Sequence, residues 1–333
     1  MRPGEDFWVQ LDGLQLLSTP RTVLAGLRRL TPGPRPDLVS LTRTFGLDPS
    51  LCASLLRDAS RRGTPAVASL PTIEAAAGLV GAARMAELLS LATAGGSSGT
   101  LDTVGTESSP AGSLDTTHRI EETRPDCWLW GHSLGTALAC RLLAERIGHP
   151  NPAAGYLAGL LHDLGKIALW QLDRTKLRQI RHLALKERVC FAEAERRASV
   201  PGHTEVGRRL ARSWGLHPAL QDVICYHHEA TSVLHGYNGE VARLADLVVV
   251  GDGMARRHAL GSGLDGTGSP AWGALTRERL GLRQADLQEL GTELKRRYQQ
   301  AVGLVLENPP SLTTGAGTGR GSPVPGLTAA GRG

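Results

Sequence analysis

The chain has 333 residues, 41% hydrophobic and 4% aromatic, with a net charge of +5. That is enough apolar material for one or two cored domains. The basic excess is mild and no basic run is interleaved with aromatics, so no nucleic-acid partner is expected. Five scattered cysteines without a C-x-x-C pair suit reduced thiols. No apolar leader and no apolar run near the ~18 residues of a membrane span is present, so a cytoplasmic chain without membrane contact is expected.

Ala, Leu and Arg dominate, which favours helix over strand. In "GLDPSLCASLLRDASRRG", Asp48 suits an N-cap and Pro49 a first helical position. Leu51, Leu55, Leu56 and Ala59 share one face, and Gly63 ends the pattern. A second helical stretch begins at Thr72, with a break expected at Gly81. Residues 1–92 therefore read as an N-terminal helical lobe. Residues 93–117 are rich in Gly, Ser and Thr and read as a flexible linker or insertion.

Beyond it, "WLWGHSLGTALA" contains Gly131-His132-Ser133-Leu134-Gly135, a G-x-S-x-G pattern that in a serine esterase carries the nucleophile. An esterase of that kind needs several Val/Ile-rich strands, and "LVVV" at 247–250 is the only β-branched run. The stretch "NPAAGYLAGLLHDLGKIALWQL" is apolar nearly all round and predicts one buried helix that carries His162, Asp163 and Lys166. In "TEVGRRLARSWG", Val206, Leu210 and Trp214 recur at four-residue steps up to Gly215. Pro218 opens the next helix. Leu287, Leu290, Leu294 and Tyr298 form a core stripe within 264–307, and residues 308–333 read as a disordered tail.

Polar residues on these apolar helices are the functional signal. They are His132, His162, Asp163, His203, His227, His228 and Asp252. Imidazole and carboxylate together suit a borderline divalent ion, and Lys166 sits one turn from His162 and Asp163, where an ammonium suits a phosphate. Alone, the His162–Asp163 pair is equally well explained by mutual hydrogen bonding; within the series, metal ligation gains. The other histidines (His118, His149, His182, His217, His235, His258) read as solvated.

The ordered series His, His-Asp, His, His-His, Asp on helices resembles the HD superfamily of metal-dependent phosphohydrolases, and more closely the HDOD domain. "WGHSLGTALACRLLAERI", "AAGYLAGLLHDLGKIAL", "EAERRASVPGHTEVGRRLARSWGLHPALQDVICYHHE" and "VVVGDGMARRHALGSG" carry the resemblance, in order, across roughly 14–263. It implies an all-α fold with an HD-like core over 118–263 and the N-terminal lobe packed on it. It also implies that the glycines around His132-Ser133 are incidental.

By the same resemblance, His132, His162, Asp163 and Asp252 hold one divalent transition ion (Fe, Mn, Zn or Co). His203, His227 and His228 supply a second, bridged by Asp163, with Asp163 and Lys166 in the catalytic roles. Asp246 is the alternative to Asp252. Two functions follow: a bacterial signal-transduction module acting in trans on a protein partner, or an active phosphohydrolase with a phosphoester or nucleotide ligand. The cyclic-dinucleotide phosphodiesterases of the superfamily carry D-G-x-G-Y-P after their His pair. Here only Gly236-Tyr237 remains, which counts against that substrate.

Overall fold

A computed structural model describes residues 5–63, 72–95, 127–228, 239–261 and 274–306. Every regular element among these residues is a helix: α1 (Glu5–Asp12), α2 (Arg21–Arg29), α3 (Leu38–Gly46), α4 (Pro49–Ser60), α5 (Ile73–Val80), α6 (Ala82–Gly95), α7 (Trp128–Arg146), α8 (Pro152–Leu161), α9 (Leu164–Leu172), α10 (Arg174–Glu187), α11 (Phe191–Arg197), α12 (His203–Ser213), α13 (Pro218–Tyr226), α14 (Gly239–Arg257), α15 (Ala274–Arg279) and α16 (Gln284–Leu306). No single described helix is long and apolar enough to cross a membrane.

Local chemistry sets many boundaries. Asp48 accepts from the Leu51 amide, Pro49 opens α4, and Thr72 accepts from the Ala75 amide to start α5. Gly81, at φ 80°, separates α5 from α6, and Gly215, at φ 67°, ends the turn after α12. Leu51, Leu55, Leu56 and Ala59 are buried, as are Leu287, Leu290, Leu294 and Tyr298 on α16. Helix α6 runs to Gly95, into the stretch read as linker; 96–117 lie outside the described residues, as do the tail from 308, His118, His235 and Gly236-Tyr237.

Asp48 also accepts from Thr19 Oγ1 at 2.9 Å. Burial pushes its carboxyl up to about 6, against the hydrogen bonds that favour the charge. Its proton is therefore held more tightly folded than unfolded, so this group's contribution falls as pH rises from about 4 through 6. Asp48→Asn keeps the acceptor and removes the buried charge, and is expected to change stability at pH 7 by less than about 1 kcal/mol. Asp48→Ala loses the cap and is expected to cost about 1–2 kcal/mol in urea unfolding. A larger loss in the asparagine variant than in the alanine variant would show that the charge itself is needed.

Helix α7 is the axis of the core, buried from Trp128 to Cys140, with α8, α14 and α16 packed around it. Close approaches require glycine. A Cβ on Gly159 would lie 2.8 Å from the Thr136 carbonyl oxygen, and one on Gly165 only 1.8 Å from that of His203. The N-terminal helices dock by hydrogen bonds as well as packing: Trp130 Nε1 donates to the Leu47 carbonyl at 2.8 Å, and Tyr156 Oη to that of Gly46 at 2.7 Å.

Two sequence expectations are corrected, at residues 152–172 and at the glycines flanking His132-Ser133, and two are met, at "LVVV" and at Ser133. Residues 152–172 are two helices, not one, and His162 and Asp163 occupy the turn between them, with Asp163 at φ −97°, ψ 23°. "LVVV" lies inside α14, where packing overrides β-propensity. Ser133 lies within α7 and no strand occurs among the described residues, so the strand-turn-helix elbow of an esterase is excluded. The flanking glycines are not incidental: a Cβ on Gly131 would meet Gly261 Cα at 2.8 Å, and one on Gly135 would meet Leu260 Cβ at 2.8 Å. They form the groove in which the chain leaving α14 crosses α7.

Candidate metal centre

The turn between α8 and α9 brings Asp163 to the centre of five imidazoles. His132 comes from α7, His162 from the same turn, His203 from the first residue of α12, and His227 and His228 from the end of α13. His132, His162, Asp163, Lys166, His203, His227 and Asp252 are each no more than 2% exposed. Such a concentration of buried polar groups is costly unless something satisfies it.

The ring nitrogens are divided in a consistent way. His162 Nδ1 donates to the Gly159 carbonyl at 2.8 Å, and His227 Nδ1 to the Ile224 carbonyl at 3.0 Å. His203 Nδ1 lies 2.8 Å from Glu195 Oε2, and Glu195 Oε1 accepts from the His203 amide at 2.9 Å. Oxygen acceptors on one side fix the proton there and leave Nε2 as the inward atom. His203 Nε2 is then 3.0 Å from His228 Nε2 and 3.4 Å from His227 Nε2. Burial pushes His227 down to about 4 and His228 well below its usual value, so both are neutral at pH 7. Neutral rings converging at these distances need a cation or shared protons between them.

Asp163 serves both sides. Its Oδ1 is 3.5 and 3.6 Å from His203 and His227 Nε2; its Oδ2 is 3.3 Å from His162 Nε2, 3.7 Å from His132 Nε2 and 2.8 Å from Lys166 Nζ. Burial opposes its charge, but His162 and Lys166 overcome that and hold the carboxyl well below the usual range. Two groups of donor atoms result: Asp163 with His203, His227 and His228, and Asp163 with His132 and His162.

Asp252 Oδ1 lies 3.2 Å from His132 Nε2, while its Oδ2 pairs with Arg256 at 2.5 Å. Asp246, the alternative, is turned away: both its oxygens bind Arg279, at 2.8 and 2.9 Å. Lys166 does not reach for solvent, since its ammonium pairs with Asp163 and sits 4.7 Å from the Phe191 ring centre. His149, read as solvated, is 5% exposed and its Nδ1 accepts from the Asn151 amide. His217 serves as an N-cap, accepting from the Ala219 amide. Glu195 went unassigned in the sequence. Its signal was there: it follows Phe191 and Ala194 on one face of α11, a carboxylate where an apolar residue belongs.

The family model of the HDOD domain matches residues 115–230. The chain carries an HDOD domain. The MmoQ response regulator of Methylococcus capsulatus str. Bath resembles it with a TM-score of 0.54 at 20% identity, over 83% of this chain and 97% of that one. A crystallised fragment of the same regulator gives 0.51 at 21% identity, over 82% and 94%. These likenesses show a shared fold. An HDOD domain protein of unknown function from Geobacter sulfurreducens is 23% identical over 87% of this chain and 94% of that one, with a TM-score of 0.46. No curated protein matches the sequence. The HDOD match contains every candidate ligand except Asp252, which α14 contributes from beyond it.

Proposed function

We propose that this HDOD protein is a regulatory module that holds a divalent transition ion (Fe, Mn, Zn or Co) in its His/Asp cluster and acts on a signalling partner in trans. The observation that supports it is the convergence of His203, His227 and His228 Nε2 beside Asp163, with the opposite nitrogens of His203 and His227 engaged by oxygen acceptors. The donor set fits such an ion: imidazole nitrogens and a carboxylate, within 4.8 Å of one another. His132, His162 and Asp252 extend the set on the other side of Asp163. When bound, a divalent ion of this class would supply Lewis acidity. The protein's own residues orient the donors and exclude water.

Phosphoester hydrolysis is the second reading, supported by the complete ligand series. Against it, Lys166, the group suited to a phosphate, is 1% exposed and bound to Asp163. The test is metal content of protein purified without added metal, followed by assay on a generic phosphodiester. At least one ion per chain and no turnover is expected. Protein that stays metal-free after incubation with Mn, Fe or Zn salts would end the metal reading, and turnover abolished by Asp163→Asn would favour the enzyme.

Glu195→Gln tests the support of the cluster. The amide cannot accept on both oxygen positions, so His203 loses its fixed orientation. Metal affinity is expected to fall about 10- to 100-fold, read by competition with a chelating dye. Unchanged affinity would make Glu195 a packing residue.

A further inference from the structure

Helix α10 and its two flanking residues carry most of the chain's excess charge. Residues 173–188 hold six cations, Arg174, Lys176, Arg178, Arg181, Lys186 and Arg188, against Asp173 and Glu187, so this stretch supplies four of the net five positive charges. Both carboxylates are engaged elsewhere: Asp173 caps the helix through the Lys176 amide, and Glu187 pairs with Arg197 of α11 at 3.7 Å. On other core helices surface arginines meet acids: Arg141 meets Glu145, Arg209 meets Asp12 and Arg297 meets Glu293. Among the described residues, Arg174, Lys176, Lys186 and Arg188 form no ion pair.

Part of this charge is ordered into a row. Arg174, Arg178, Arg181 and Leu185 fall at i, i+4, i+7 and i+11, one stripe roughly 16 Å long. Leu177, Ile180 and Ala184 are buried on the neighbouring face and pin the helix, so the stripe cannot turn inward. Arg174 and Arg178 lie over the Trp170 ring, 4.6 and 5.5 Å from its centre, and Arg181 lies over that of Trp128 at 5.1 Å. Stacking on a fixed ring restricts each guanidinium, so less side-chain entropy is lost when a carboxylate binds it. Three like charges at these spacings oppose the helix by a few tenths of a kcal/mol per pair, a cost that facing carboxylates would remove. Leu185, 37% exposed, ends the row with an apolar side chain.

We propose that this stripe is the docking surface for the partner in trans, and that the partner presents an acidic helix, its carboxylates one turn apart against the arginines and an apolar residue against Leu185. This rests on the regulatory reading above and specifies its partner. A nucleic acid fits less well, because Trp170, whose ring could otherwise stack on a base, is covered by two guanidinium groups. A lipid surface fits less well, because the apolar side of α10 is packed on the core and has nothing to insert.

The probe is a synthetic peptide of Ala, Leu and Glu, about 20 residues long so that it can be helical, with Glu at the i, i+4, i+7 spacing. Binding to the full chain is read by calorimetry, beside a DNA duplex and phosphatidylserine vesicles. The wild type is expected to bind the peptide more tightly than the duplex or the vesicles. Arg174→Glu with Arg178→Glu should weaken it about tenfold or more and leave metal content unchanged. The same variant should bind the peptide in which Lys replaces Glu, which the wild type does not. Unchanged affinity in the folded variant would overturn the proposal, as would a duplex or vesicles bound more tightly than the peptide. So would peptide binding that appears only when the six carboxylates of residues 102–126 are changed to amides, since the chain's own acids would then be the occupant. Should the double variant fail to fold by circular dichroism, Arg174→Gln with Arg178→Gln takes its place, with a loss of about threefold or more expected. Failure of the regulatory reading itself shows separately, as turnover of the phosphodiester.

Discussion

Asp163→Ala is expected to empty the metal centre and to abolish the response of the melting temperature to a chelator. Asp163 is the one carboxylate common to both donor groups. A ligand that binds only the folded state stabilises it by about 2.7 kcal/mol at a hundred times its dissociation constant, and a chelator removes that contribution from the wild type. The variant has none to remove. It is also less stable for a second reason: Lys166, 1% exposed, loses its partner, and stranding one member of a buried pair costs about 3–5 kcal/mol.

The two effects separate in Asp163→Ala with Lys166→Met, which should recover stability but not metal. Ser133→Ala is the control on the G-x-S-x-G pattern. The Ser133 hydroxyl is buried and makes no hydrogen bond among the described residues, so its removal should leave stability and metal content unchanged. A double variant that regained both stability and metal would show that Asp163 is structural only.

Gly165→Ala should destabilise the fold by about 3 kcal/mol or more, and loosen the metal with it. The added Cβ would lie 1.8 Å from the His203 carbonyl oxygen and 2.7 Å from the Gly207 amide nitrogen. Both neighbours are helix backbone, which cannot move by rotamer change. Relief requires α9 and α12 to part by more than an ångström. These helices carry Lys166 and His203, and Asp163 leads into α9, so the donor atoms separate too. Gly78→Ala is the matched control: it is in α5, its Cβ would meet nothing within 4 Å, and a gain of up to about 1 kcal/mol is expected. Equal stability of the two variants in urea unfolding would show that the α9–α12 crossing is looser than described.

How much was legible follows from where the information sits. Caps are local, so Asp48, Pro49, Thr72, Gly81 and Pro218 could be read directly. The break at His162–Asp163 could not, because its residues are apolar on both sides and carry no Gly or Pro at the turn. What bends the chain there is the seat of α9 against α12, a contact between residues about forty positions apart. The glycines of the G-x-S-x-G pattern were visible but misassigned for the same reason: the Leu260–Gly261 segment that needs them lies far along the chain.

The sequence alone determined that the chain is helical, and that His132, His162, Asp163, His203, His227 and Asp252 are buried polar residues needing a partner. Periodicity fixes which residues face inward, and a histidine on an apolar face is conspicuous without knowledge of its neighbours. Only the tertiary structure decided which groups meet. Asp246 and Asp252 are six residues apart on α14, about a third of a turn apart in azimuth. Arg279 claims the first and His132 the second. Likewise only the packed structure decided that Glu195 orients His203, that Lys166 pairs with Asp163 and Arg256 with Asp252, and that Asp163 divides its oxygens between two groups of donors. Ion pairs and ring orientations depend on atoms brought together from distant segments, and no local pattern encodes the atom on the far side of a contact.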